Sequence, residues 1–284
     1  MNEDKRFDIA LRSPVLVDRK DKQGWVELFA ADGFIEDPVD AGRYRGHEAL
    51  GVFWDVFIAP QPSIGFDVNR DFCGGNTLIR QATVQTVTEA DPKAVLEVPA
   101  LLRYTVDGGK VASLQAIWEP RQVVQWFLQR GPAGMRVLGR QAIRMTRLAG
   151  MGKALSFGRT VAGGMSRVHA KALVDAMRDA EPKAWLEHFG QTEITVAQAT
   201  EENRFERDAS AAFDCLRDRV GAHARLDVDQ FVVCGRHLGA FFRDADDRAL
   251  AVMLRLGRDA TSAEMTMVWS PARDVLRRDS AAAA

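Results

Sequence analysis

The run Gly33-Phe34-Ile35-Glu36-Asp37-Pro38 sets two carboxylates at the end of an apolar, strand-like stretch, which the proline ends because it has no N–H to give a ladder. Side chains alternate across a strand, so Phe34 and Glu36 share one face and Ile35 and Asp37 the other. Only one carboxylate can then follow an apolar lining. A carboxylate at the rim of an apolar cavity loses hydration, its pKa rises, and it becomes suited to abstracting a proton. Asp37 is the candidate general base. The plainer reading of the same residues is a solvated turn in which Asp37 accepts from backbone amides.

Alternation also singles out Tyr104. Within 96–107, Val98, Ala100, Leu102, Tyr104 and Val106 form the apolar set expected to face a cavity, while Glu97, Arg103 and Asp107 face water. Tyr104 carries the only hydroxyl of that inward set and is the candidate donor to a developing enolate, a role worth roughly 10²–10³-fold in rate. The plainer alternative is a core ring whose hydroxyl meets water at the rim. Arg80 shares a face with Leu78, Ala82 and Val84, and either points inward toward Asp37 or snorkels out. Phe53, Trp54, Phe57, Arg80 and Leu102 are the expected substrate-binding residues.

Other chemistries find no support in the spacing. His47, His169, His188, His223 and His237 form no pair at metal-ligand spacing, so no metal site is expected. Cys73, Cys215 and Cys234 are odd in number, lack a Cys-x-x-Cys spacing and read as buried thiols. No serine sits in a Gly-x-Ser-x-Gly elbow, and Gly150-Met151-Gly152-Lys153 is not a phosphate loop, because Arg147 stands where a glycine is required. No apolar run follows the mixed-charge N-terminus, which gives the expectation of a cytoplasmic protein without a membrane span.

The elements that must position these residues are legible in outline. Residues 5–31 read as mostly helical, with Leu11, Val15, Leu16, Trp25, Leu28 and Phe29 as an interrupted apolar face. A short strand at 33–38 precedes a helix in which Leu50, Phe53, Trp54 and Phe57 recur at three- and four-residue spacing. Alternating runs at 76–88, 94–106 and 110–119 read as strands, with Asp107-Gly108-Gly109 as a tight hairpin. Helices followed by an antiparallel sheet make an α+β pattern.

An internal repeat doubles this pattern. Trp25, Cys73 and Trp118 find ordered counterparts in Trp185, Cys234 and Trp269. Two units are expected, at 1–120 and 168–284, joined by a linker at 121–167. Twelve residues past Trp185, where the first copy has Asp37, stands Ala197, so the second unit reads as degenerate and without a base.

Charge divides the chain in the same way. Residues 1–120 carry a net of −6, residues 121–168 hold nine Lys and Arg and no acid, and residues 169–284 carry −4. The basic segment has two readings: a helical linker whose arginines face the acidic units, which is favoured, or a basic amphipathic segment in peripheral contact with an anionic membrane. Nucleic acid is a poor third, as neither unit is basic.

The stretches LFAADGFIEDPV and GHEALGVFWDVFI, closed by GKVASLQAIWEP, resemble the nuclear transport factor 2-like superfamily, in its ketosteroid isomerase and SnoaL-like polyketide cyclase branch. The resemblance covers residues 1–120 well and 168–284 weakly. It implies two tandem cystatin-like/NTF2-like cone domains, helices packed on a strongly curved antiparallel sheet. It also implies Asp37 as the base that moves a proton alpha to a carbonyl, and Trp118 as an aromatic lining residue. The position of the family's oxyanion tyrosine falls at about Ser13, and that of its acidic donor at Leu101 or Leu102, so that machinery is not carried over. The implied function is cofactor-free isomerisation, dehydration or cyclisation of a lipophilic ring compound such as a steroid or polyketide. The alternative is a non-catalytic protein that holds an apolar small molecule. Relatives pair through the outer face of the sheet, so the chain is expected to be a monomeric pseudo-dimer or a homodimer.

Overall fold

The computed structural model describes residues 7–179, 182–189, 193–198, 204–207, 210–211, 213–214, 226–244, 248–257 and 262–270. Cys215, His223 and the alanine-rich C-terminus lie outside them.

Two helices open the chain, α1 (Asp8–Asp18) and α2 (Lys22–Glu27), the second capped by Asp21, whose carboxylate accepts from the Gly24 amide. Strand β1 (Phe29–Glu36) and the short β2 (Tyr44–Arg45) follow, then α3 (Gly46–Phe53), which passes directly into a π-turn over Trp54–Ile58. Four long strands come next: β3 (Ser63–Gly74), β4 (Thr77–Thr88), β5 (Asp91–Asp107) and β6 (Lys110–Trp118). Gly108 and Gly109 close the β5–β6 hairpin at φ of 53° and 75°, a geometry glycine adopts at little cost. Their sheet runs β2-β1-β6-β5-β4-β3, with β1 parallel to β6 and every other pair antiparallel.

The basic segment is helical throughout, as α4 (Pro120–Leu128), α5 (Gly131–Ala149) and α6 (Met151–Ala162). Beyond it lie α7 (Arg167–Arg178), α8 (Pro182–Phe189), β7 (Glu193–Gln198), β8 (Arg204–Arg207), β9 (Asp227–Cys234), β10 (His237–Arg243), β11 (Ala249–Leu256) and β12 (Ser262–Ser270). The second sheet runs β8-β7-β12-β11-β10-β9, the strand order of the first.

The two sheets pack face to face. Phe72, Ile79, Leu101 and Ile117 of the first meet Val232, Phe241, Ala251, Met253 and Val268 of the second in one buried apolar layer. Strands β10 and β11 are covered on both faces, since Leu238, Ala240 and Phe242 point the other way, toward Leu173, Trp185 and Phe189. This layer corrects one expectation. The outer face of β5, which carries Arg103, is not simply a water face, because Leu101 on it is fully buried. Val15 is exposed rather than part of the α1 apolar face, and Cys73 is exposed whereas Cys234 is buried.

Strand register refines the comparison of the halves. Gln115, three residues before Trp118, pairs with Glu36, and Thr266, three before Trp269, pairs with Ala197. Counted this way Gln198, rather than Ala197, stands where Asp37 does, and it is likewise no acid.

Candidate functional site

A cavity of about 250 Å³ lies inside the first unit, between the inner face of its sheet and the helices. Strand alternation aims Val84, Val98, Ala100, Leu102, Tyr104, Leu114, Ala116 and Trp118 into it; α1 adds Ser13 and Val17, and α3 with its π-turn adds Phe53, Phe57 and Ile58. The basic segment closes the remaining side. Val123, Val124 and Phe127 of α4, Val137, Leu138 and Gln141 of α5, and Phe157 of α6 all line the cavity. Gln141 also donates to the Val56 carbonyl at 3.0 Å, tying this lid to the π-turn. The segment expected to be a linker is thus part of the cavity wall. Its charges divide: Arg130, Arg140 and Arg167 pair with Asp91, Glu89 and Glu119 of the first unit.

Asp37 is the one carboxylate among the lining residues, which include no Lys, Arg or His. It follows β1 directly and precedes Pro38 through a cis peptide bond. Its Oδ1 accepts from the Trp118 indole Nε1 at 2.6 Å, so its partner is a side chain of the cavity wall rather than the backbone amides of a solvated turn. Burial raises the Asp37 pKa to about 6, against the opposing pull of the Trp118 hydrogen bond. Glu36, on the opposite face, is occupied by Arg43, Gln115 and the Asp40 amide.

Tyr104 is fully buried and lines the same cavity. Its hydroxyl is buried beside the Ser13 side chain rather than at a water-filled rim, and Ser13 Oγ accepts from Trp25 Nε1 at 3.0 Å. Burial raises the phenol pKa, partly offset by the Arg80 charge. A neutral hydrogen-bond donor is therefore maintained well into the alkaline range.

Phe53, Phe57, Leu102 and Trp118 stand in the cavity wall as the sequence leads one to expect. Two expected wall residues lie elsewhere. Trp54 is buried behind the wall, its ring 5.5 Å from that of Trp25. Arg80 neither lines the cavity nor snorkels to solvent: it is 3% exposed and forms two hydrogen bonds to Asp71, its cross-strand neighbour, at 2.7 and 2.8 Å.

Sequence reasoning passed over Tyr44. Burial first, and then the nearby Asp37 charge, push its pKa up to about 12, while Lys153 of the lid sits 4.4 Å from its ring centroid. A tyrosine seven residues beyond the candidate base was the available signal. The chemistry on offer is a desolvated carboxylate and a buried phenol facing one apolar chamber, able to move a proton and stabilise the charge left behind.

The front of the chain is similar to known proteins. No curated protein matches it. Among solved structures, a Mycobacterium tuberculosis protein in complex with estradiol-17beta-hemisuccinate is 22% identical, over 40% of this chain and 93% of its own, at a TM-score of 0.37. The Δ5-3-ketosteroid isomerase of Mycobacterium sp. is 26% identical over 39% of this chain and 89% of its own, at 0.35. SalBIII, an epoxide hydrolase/cyclase-like enzyme of pyran ring formation in salinomycin, is 21% identical over 41% and 92%, at 0.38. Residues 13–114 match the family profile of the SnoaL-like domain, so the part of the chain that builds most of the cavity is a SnoaL-like (NTF2-like) domain.

Proposed function

We propose that this chain is a cofactor-independent acid/base enzyme, an isomerase, dehydratase or cyclase of a lipophilic ring compound such as a steroid or polyketide. Asp37 is its general base and Tyr104 its electrophile. The observation that carries the reading is a single carboxylate on the wall of a largely apolar, lidded chamber; burial there lifts its pKa to about 6. A base of that pKa is ionised at neutral pH yet basic enough to take a proton from carbon.

With substrate bound, the Asp37 carboxylate removes a proton alpha to a carbonyl and the electron pair moves onto the carbonyl oxygen. The Tyr104 phenol donates a hydrogen bond to that oxyanion. Returning the proton to another carbon isomerises the substrate; passing it to a β-hydroxyl as the Cβ–O bond breaks releases water and dehydrates it. Trp118 holds the carboxylate in place through Oδ1, leaving Oδ2 for the proton.

The same reading takes residues 1–120 and 168–284 as a tandem duplication with 121–167 between them. The shared strand order and the face-to-face layer support a monomeric pseudo-dimer whose back half has kept the fold and lost the base. A binding protein is the second reading, favoured by one observation: the chamber is lined almost wholly by apolar side chains, which suits holding an apolar molecule as well as transforming it.

Asp37→Asn decides between them when assayed against a panel of Δ5-3-ketosteroids and polyketide ketones. The enzyme reading expects turnover to fall by about 10³-fold or more, with melting and ligand affinity retained. Turnover equal to wild type removes Asp37 as the base, and tight binding without turnover of any panel member establishes the binder.

A further inference from the structure

The lid has an inner face and an outer one. Val137, Leu138 and Gln141 of α5 and Phe157 of α6 face the cavity, so the opposite sides of both helices look away from it. On those sides stand Met135 (62% exposed), Ile143 (54%), Met151 (59%) and Leu155 (53%). On α5, Met135, Gly139, Ile143 and Arg147 follow one another at four-residue intervals, with Arg136 and Arg140 beside them. The stripe passes over Gly150 to Met151, Leu155 and Arg159 of α6. Large apolar side chains so exposed and so grouped mark a contact surface.

Charge identifies what it contacts. Residues 121–168 hold nine bases and no acid. Three of these bases pair with carboxylates of the first unit, but Arg136, Arg147 and Arg159 have no carboxylate partner among the described residues. They stand on the same outer faces as these exposed apolar residues. Apolar residues interleaved with unpaired arginines, on helices lying side by side, match an interface of acyl chains beneath anionic phosphates. No described helix is long and apolar enough to cross a bilayer.

We propose that the outer faces of α5 and α6 dock on an anionic phospholipid bilayer, placing the lid of the cavity against the source of a lipophilic ligand. The purpose, though not the contact, rests on the proposed function. A bilayer contact at the lid also gives α4–α6 a reason to be amphipathic twice over, apolar toward the chamber and apolar with arginine toward the lipid.

Flotation of the full chain tests this with vesicles of phosphatidylcholine alone and of phosphatidylcholine containing one third phosphatidylglycerol, at low and at half-molar salt. Two variants accompany it, Met135→Ser/Ile143→Ser/Leu155→Ser and Arg136→Gln/Arg147→Gln/Arg159→Gln, each checked for an unchanged far-ultraviolet spectrum and melting temperature. None of these residues lines the cavity, so turnover or ligand binding in detergent-free buffer is expected to be unchanged. Wild type is expected to float with the anionic vesicles roughly tenfold more than with neutral ones, less at high salt, and each variant to lose most of that. Wild type left at the bottom of the gradient with anionic vesicles at low salt overturns the proposal. So does an apolar variant that floats like wild type, which would leave diffuse charge attraction only. Loss of a dimer on sizing in both variants, without vesicle binding by wild type, would instead make this face a self-association surface. Loss of turnover in Asp37→Asn with flotation intact separates failure of one reading from failure of the other.

Discussion

Asp37 and Trp118 act as one unit. The indole N–H stabilises the charged carboxylate, and the apolar wall opposes it, so the pKa near 6 reflects burial winning over a single hydrogen bond. Trp118→Phe keeps the ring and removes the donor. The acid limb of the kcat/KM profile is then expected to move to higher pH by about one unit, the size of one hydrogen bond to a charged group. A profile that does not move would show that the indole is only packing. That Asp37 and Tyr104 face the chamber was legible because alternation on a strand has a fixed period. The places of Trp54 and Arg80 were not. The apolar stripe of α3 is wider than the chamber it borders, so Phe53 and Phe57 reach the cavity while Trp54 goes to the core. Arg80 is decided by Asp71 across the β3–β4 ladder, and a bulge between Val68 and Arg70 shifts that register in a way no local pattern reveals.

Among the elements, the lid was the least legible. A basic amphipathic helix shows the same periodicity whether its apolar face covers a cavity, a bilayer or a neighbouring helix. Here one face does the first. The α4–α5 corner depends on a glycine: a Cβ at Gly134 would come within 1.8 Å of the Phe127 carbonyl oxygen, which is backbone and cannot swing aside. Gly134→Ala is expected to push α4 from α5, costing about 1–3 kcal/mol and weakening ligand binding, because Phe127 of α4 and Val137 and Leu138 of α5 face the same chamber. Thermal melting with and without ligand checks it, and an unchanged melting temperature would contradict the close packing. By contrast, the β5–β6 hairpin was readable from two glycines and the strands β4, β5 and β6 from their alternation, whereas β3 and the start of β1 at Phe29, inside a stretch read as helical, were not.

Over the whole molecule, two six-stranded sheets share an apolar layer fastened by polar contacts, among them Gln81 with Gln230 and the carboxylate of Asp40. Its carboxylate accepts from the Arg236 amide at 3.0 Å and lies 3.4 Å from both the Arg236 guanidinium and His237 Nδ1. Burial alone would raise its pKa, but His237 and Arg236 outweigh it and hold the carboxyl well below the usual carboxylate range. A folded-state pKa depressed in this way contributes stability that is present above the unfolded value, near ~4, and is lost as pH falls below it. Asp40→Asn keeps the left-handed backbone at φ 63°, which Asn tolerates, and removes the charge. Its melting temperature is expected to fall below wild type at pH 7 and to approach it as the solution is acidified past that range. A deficit that persists undiminished in acid would show the loss to be steric. The continuous apolar runs of β10 and β11 are what a sheet buried on both faces requires, so the sequence carried the sign of this packing. It could not supply the pairing of the two sheets, which rests on contacts between residues more than a hundred positions apart.

The most direct test of the account is the titration of the Asp37 carboxyl itself, followed by its carbon chemical shift in the intact protein and assigned with Asp37→Asn. A midpoint at about 6 is expected for a base desolvated by the chamber wall. A midpoint in the ordinary aspartate range, near ~4, would mean that water reaches the group freely, and the chemistry assigned to it would not hold.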